Sequence, residues 1–173
     1  APQTGHIAVH EAGAVEATGH KINSVIGVEG KLLPEHIQKV LSEHIDEHMV
    51  KPKVVFISQA TEVGTIYKKA ELAAISHVCR TNNLYLYLDG ARLGSALTSS
   101  EADITLAELS RLVDMFYIGG TKNGALLGEA MVINNPKLKE NFRYYLKQRG
   151  ALLAKGRVLG VQFLELFKGD LYF

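Results

Sequence analysis

The alternation of short apolar runs with helix-like stretches constrains this fold most. The runs are rich in β-branched and aromatic residues, and the stretches between them carry apolar residues at helical spacing. The predicted strands are Lys21 to Val28, Val54 to Ser58, Leu84 to Leu88, Met115 to Ile118 and Glu129 to Ile133. Strands that alternate with helices pair in parallel, so the sequence predicts an α/β fold with a mostly parallel sheet flanked by helices. Only a short loop precedes the last strand, which is therefore predicted to run antiparallel to its neighbour.

The predicted helices lie between and after these strands. They are Pro34 to His48, Lys69 to Thr81, Leu106 to Leu112, and a helical stretch from Pro136 to Phe167 with a break around Gly150 to Gly156. Pro34 fits the first turn of its helix, where a missing N–H costs little. No interior linker divides the sequence into two folding units.

Composition excludes several classes of function. The 173 residues are 47% apolar, enough for one substantial core, and 19 basic against 18 acidic residues give a net charge of +1. That balance argues against a nucleic-acid partner. The single cysteine, Cys79, rules out an intrachain disulfide and fits a reducing compartment. No apolar run approaches the ~20 residues of a membrane span, so we predict no membrane partner and a cytoplasmic location.

Charged residues follow two of the predicted strands. Asp89 and Arg92 come directly after the run 84–88, and Lys122 lies among small residues just after the run 115–118. The carboxyl ends of parallel strands are where α/β sheets bind ligands. A lysine amine can form a Schiff base with an aldehyde, a carboxylate can keep a pyridine nitrogen protonated, and a guanidinium can bind a carboxylate bidentately. Taken alone, Lys122 fits a loop lysine, Asp89 a strand-end cap and Arg92 a surface charge. The three together favour a pyridoxal phosphate site.

Three strings then extend this interpretation to a family. They are His6-Ile-Ala-Val-His-Glu-Ala-Gly13, Leu88-Asp-Gly-Ala-Arg92 and Gly119-Gly-Thr-Lys-Asn-Gly124. In order and spacing the chain resembles the threonine aldolase and β-eliminating lyase group of fold-type I pyridoxal phosphate enzymes, and within it the low-specificity threonine aldolases. The resemblance implies that residues 1–150 form part of the large cofactor domain, without its N-terminal segment, and that residues 151–173 begin a helix leading to a small domain.

The resemblance also implies a role for each matching residue. Lys122 would carry the cofactor as a Schiff base, Asp89 would pair with the ring nitrogen, and His6 would stack on the ring. Arg92 would lie near the cofactor oxygen and the substrate carboxylate. Thr121 would give its hydroxyl to the phosphate.

One position departs from the family pattern. Related aldolases can carry a histidine in the loop after the second predicted strand, where this chain has Glu62. The base that removes the β-hydroxyl proton is therefore left open between Glu62 and His6 acting through a water.

The implied activity is the cleavage of β-hydroxy amino acids, threonine or allo-threonine, to glycine and an aldehyde. Two alternatives remain open: β-elimination, which uses the same cofactor, and a non-catalytic α/β module. The resemblance further implies a homodimer or homotetramer in which a neighbouring chain completes the pocket.

A metal site is a weaker interpretation of the first string. His6 and His10 lie four residues apart beside Glu11, but the glutamate does not lie between the histidines as in a zinc protease. We therefore predict no metal. Glu11 itself fits either an active-site network or a turn cap.

Overall fold

A computed structural model describes residues 1–173 and contains one four-stranded sheet in the order β1-β2-β3-β4. The strands are β1 (Val54–Ser58), β2 (Tyr85–Asp89), β3 (Met115–Gly119) and β4 (Glu129–Ile133). β1, β2 and β3 are parallel, and β4 pairs antiparallel with β3. The predicted mostly parallel sheet and its antiparallel last strand are both confirmed.

Helices flank the sheet. They are α1 (His6–Val9), α2 (Pro34–Glu43), α3 (Lys69–Thr81), α4 (Leu93–Thr98), α5 (Leu106–Leu112), α6 (Pro136–Lys139), α7 (Phe142–Gln148) and α8 (Arg157–Phe167), with 3₁₀ turns at Glu16–Thr18 and Lys168–Asp170. The predicted bounds of α3 and α5 are confirmed. α2 ends at Glu43 instead of His48, because His44 leaves the helical region with φ −120° and ψ 73°. The last helical stretch is broken as predicted before α8, and a further break falls at Asn141, whose φ is +59°.

The prediction of a strand from Lys21 to Val28 is wrong. Only isolated bridges form there, between Pro2 and Val25 and between Val28 and Lys31. Glu29 and Gly30 both have positive φ, so the chain turns back on itself and forms no ladder with the sheet. Val28 is accordingly 53% exposed.

The core lies between one face of the sheet and helices α3 and α5. Ile57, Leu88 and Phe116 project from the three parallel strands and are at most 2% exposed, as are Leu72 of α3 and Leu109 of α5. Burying each such side chain stabilises the fold by about 1.5–3 kcal/mol. Because side chains alternate along a strand, the residues between them face the other way.

That opposite face carries the polar strand ends. Tyr87 and Asp89 of β2 point to it, and Ser58 of β1 pairs in register with Asp89. The sheet thus brings the end of each parallel strand to the same edge. No helix of the structure has both the length and the apolar character needed to cross a membrane.

Candidate active site

A cavity of about 510 Å³ opens at the carboxyl ends of the parallel strands. This volume is within the ~300–1,000 Å³ of small-molecule sites. All six residues singled out from the sequence line it: His6, Glu62, Asp89, Arg92, Thr121 and Lys122. The structure therefore brings the six together, while their individual roles stay predictions.

Asp89 is the buried carboxylate of the cavity, with 8% of the residue exposed. Its Oδ1 accepts hydrogen bonds from the Ala91 N–H at 2.9 Å and from the Tyr117 hydroxyl. Its Oδ2 accepts none from the protein. Because Oδ1 already accepts two hydrogen bonds and Oδ2 accepts none, a further donor would bond to Asp89 on the Oδ2 side.

Lys122 lies in the loop that follows β3. Two glycines let this loop approach its neighbours closely, since a Cβ at Gly119 would lie 2.2 Å from the Ala91 carbonyl oxygen and one at Gly120 would lie 2.0 Å from that of Gly128. The Lys122 side chain is exposed at the cavity, and its amine makes no ion pair or hydrogen bond within the chain. The amine is therefore free to react with a carbonyl group.

His6 begins the first turn of α1 and is held from two sides. Its Nδ1 lies 2.5 Å from Glu11 Oε1, and its backbone N–H donates to Glu62 Oε1 at 3.0 Å. Glu11 therefore bonds His6 and lines the same cavity, while its part in an active site stays a prediction. With Nδ1–H donated to a carboxylate, the imidazole has a fixed ring orientation and presents Nε2 away from Glu11.

Glu62 joins β1 to α1. Its Oε1 also accepts the Ser58 hydroxyl at 2.7 Å, whereas its Oε2 is buried without any hydrogen-bond partner. An unpaired buried carboxylate oxygen costs more free energy than an unpaired neutral group, so most native structures avoid one. Glu62 lines the cavity, but this oxygen is shielded from solvent, so its side chain has to rotate before a ligand can supply the missing donor.

Arg92 and Thr121 also line the cavity. The Arg92 guanidinium is exposed and makes no contact with an acceptor within the chain. The Thr121 hydroxyl donates weakly, at 3.4 Å, to Glu129 Oε1, and Glu129 Oε2 accepts the Gly120 N–H at 2.5 Å. A phosphate at Thr121 would have to displace this carboxylate.

Sequence reasoning missed Tyr117, Glu129 and Ser58, which also line the cavity. Strand alternation carried a usable signal for Tyr117, because it lies two residues before the end of β3 and points to the same face as Met115. For Glu129, at the start of β4, the exposed charge gave no indication of a partner.

The mostly parallel sheet flanked by helices is that of part of a fold-type I pyridoxal phosphate enzyme, and a lysine, an aspartate and an arginine lie at its neighbouring strand ends. The solved threonine aldolase of Leishmania major matches the whole chain and 51% of its own length, at 55% identity and a TM-score of 0.98. Residues 1–166 match the family described as β-eliminating lyase, and the chain belongs to that family.

One further relative and one further solved structure are similar to the chain. The low-specificity L-threonine aldolase of Pseudomonas sp. (strain NCIMB 10558) is 41% identical over 170 residues, which are 96% of this chain and 49% of that protein. A putative aromatic amino acid β-eliminating lyase/threonine aldolase from Exiguobacterium shares the fold, with a TM-score of 0.66 at 24% identity over 90% of this chain and 42% of its own. The chain thus spans about half the length of the relatives it matches.

Proposed function

We propose that this chain binds pyridoxal 5′-phosphate and forms the cofactor domain of a lyase that cleaves threonine or allo-threonine to glycine and acetaldehyde. The observation that carries the proposal is the cavity in which a free lysine amine, a buried aspartate and an orphaned glutamate oxygen meet. The names of the similar Pseudomonas and Leishmania major proteins support the choice of substrate.

The residues of the cavity fit this cofactor. Asp89 Oδ2 has no donor from the protein, as a carboxylate must if it is to receive a protonated ring nitrogen. The Lys122 amine has no competing partner, so it can attach an aldehyde. When bound, pyridoxal phosphate supplies an electron-accepting ring that stabilises negative charge on the substrate Cα.

The side chains of the cavity divide the remaining work. Asp89 holds a proton at the ring nitrogen, and its low exposure strengthens that interaction because little water screens it. His6, whose ring is fixed by Glu11, covers one face of the site. The free guanidinium of Arg92 binds the substrate carboxylate. Thr121 contributes its hydroxyl to the phosphate once the weak contact with Glu129 is broken.

Glu62 is the base in this proposal. Cleavage breaks the Cα–Cβ bond, leaves its electron pair on Cα, and turns the β-carbon into an aldehyde as the hydroxyl proton departs. Glu62 Oε2 accepts that proton, because it receives no donor from the protein and, unlike Asp89 Oδ2, is not assigned to the cofactor ring. His6 Nε2, acting through a water, is the other candidate.

β-Elimination is the second candidate function, and the name of the matched family favours it. It uses the same lysine and aspartate but removes the Cα proton first and expels the β-substituent. From threonine or serine it would release ammonia and a keto acid.

Product analysis distinguishes the two reactions. The complete natural chain that carries residues 1–173 is incubated with pyridoxal phosphate and threonine, allo-threonine or serine. Glycine and an aldehyde are expected, and ammonia with a keto acid would instead establish elimination. Borohydride reduction followed by peptide mass spectrometry should place the cofactor on Lys122. If the Lys122→Ala protein is labelled as strongly as the natural protein, the assignment of the lysine is wrong.

The proposal includes a homodimer or homotetramer. α8 presents several exposed apolar side chains, among them Val158, Val161 and Leu164. In the complete protein such a patch is covered by the small domain to which this helix is expected to lead or by a second copy, and the proposal assigns part of it to a second copy. Light scattering of the complete chain should give the mass of a dimer or tetramer, and a monomer at working concentration would contradict this part of the proposal.

A further inference from the structure

Tyr117 contacts Asp89, the carboxylate proposed to bind the ring nitrogen of the cofactor. Tyr87 pairs in register with Met115, so the next residues that face the same way on β2 and β3 are Asp89 and Tyr117. The Tyr117 hydroxyl donates a hydrogen bond to Asp89 Oδ1, and both residues line the cavity. The contact thus follows from the pairing of two strands in the middle of the sheet and does not depend on a loop.

This bond distinguishes the two oxygens of Asp89. Oδ1 receives two donors, the Tyr117 hydroxyl and the Ala91 N–H, and Oδ2 receives none. Burial, reinforced by the neighbouring carboxylate, raises the pKa of Tyr117 above its usual range. The phenol therefore keeps its proton, and remains a donor, throughout the pH range in which enzymes work.

We propose that Tyr117 is a positioning residue, which holds Asp89 Oδ1 so that Oδ2 alone faces the ring nitrogen of the cofactor. The proposal rests on the proposed function, since it assigns Tyr117 a part in the same site. Without the hydroxyl, Oδ1 keeps one donor and the carboxylate can rotate, so that neither oxygen is held towards the ring. A hydrogen bond to a charged group is strong enough that its loss should weaken cofactor binding about 10-fold or more.

The simpler alternative is that Tyr117 only packs on the sheet. Tyr87 provides the matched control, because it lies on the same face of the adjacent strand with its ring 6.4 Å from that of Tyr117. Its hydroxyl makes no hydrogen bond in the structure. Tyr87→Phe therefore removes the same atom from the same surface without removing a hydrogen bond from Asp89.

The experiment is a double-mutant cycle on the complete natural chain. The dissociation constant of pyridoxal phosphate is measured for the natural protein, Tyr117→Phe, Asp89→Asn, the double variant and Tyr87→Phe. We expect an increase of about 10-fold for Tyr117→Phe, no change for Tyr87→Phe, and little further loss when Tyr117→Phe is added to Asp89→Asn. Thermal unfolding without cofactor confirms that each variant is folded.

A second measurement reports the contact itself. With cofactor labelled by ¹⁵N in the ring, the nitrogen resonance should move towards the unprotonated position in Tyr117→Phe and stay in place in Tyr87→Phe. Additive losses in the cycle, an equal loss in Tyr87→Phe, or an unmoved resonance would overturn the role of Tyr117 while leaving the proposed function intact. A natural protein that fails to bind pyridoxal phosphate would overturn both.

Discussion

Glu62→Gln separates the chemistry of Glu62 from its structural contacts. Glutamine has nearly the same shape, and its carbonyl oxygen can still accept the Ser58 hydroxyl and the His6 N–H that Oε1 accepts now. Only the charge and the proton-accepting oxygen are lost. The substitution therefore tests whether Oε2 acts as the base.

The substitution should affect stability and catalysis by different amounts. Weakening two charge-assisted hydrogen bonds to neutral ones costs about 1–3 kcal/mol of folding free energy, and the amide NH2 that replaces Oε2 is left without a partner just as that oxygen is. The protein should therefore lose about 1–3 kcal/mol of stability. Loss of a general base lowers kcat by about 10²–10⁴-fold, equivalent to roughly 3–5 kcal/mol of activation free energy.

The assay couples acetaldehyde release from threonine to the oxidation of NADH by an added dehydrogenase, with thermal unfolding measured in parallel. Ser58→Ala is the control, because it removes one donor to Oε1 and leaves the Glu62 carboxylate in place. We expect its kcat to fall by less than about 10-fold. A Glu62→Gln protein that is folded and retains a kcat within about threefold of the natural value would refute the role of Glu62 and favour His6 as the base.

Two other predictions follow from the cavity and its loop. Glu11→Gln should weaken pyridoxal phosphate binding by about 3–10-fold, because the His6 ring loses its charge-assisted partner at 2.5 Å; an unchanged dissociation constant would show that Glu11 does not orient the ring. Gly119→Ala should lower the free energy of unfolding by about 3 kcal/mol or more, since its Cβ would meet the Ala91 carbonyl oxygen at 2.2 Å. Gly160→Ala is the control, because it lies in α8 with no atom within 4 Å of the added Cβ, and it should raise the free energy of unfolding by about 1 kcal/mol. Urea titration measures both variants, and equal effects at the two glycines would contradict the packing argument.

The strands and the central helices were predictable because their signals are local. Val54–Ser58 is a compact β-branched run, and Lys69–Thr81 repeats its apolar residues every three or four positions. Lys21 to Val28 also contains β-branched residues but is followed by Glu29 and Gly30, whose positive φ turns the chain back. Amino-acid composition alone does not show whether an extended segment pairs with a strand of the sheet.

The site was predictable to the extent that strand ends converge. Asp89 and Lys122 follow adjacent strands, so their meeting in one cavity follows from a parallel sheet. His6 and Glu62 are 56 residues apart, and no local pattern indicates that the backbone of one bonds the side chain of the other. Only the resemblance to a family brought them together before the structure did. Tyr117 was missed because a tyrosine in a strand is ordinarily a packing residue.

In the proposed site, the bond from the His6 N–H to Glu62 ties the side chain assigned as the base to the helical turn that carries the imidazole. A replacement at residue 62 chosen to admit a different side chain on the substrate also loosens the first turn of α1, and with it the imidazole. Substrate selectivity and cofactor affinity should therefore change together when residue 62 is varied in laboratory evolution. Variants that alter one without the other would need a compensating donor or acceptor nearby, and the Ser58 hydroxyl, which now donates to Glu62, is one group able to provide it.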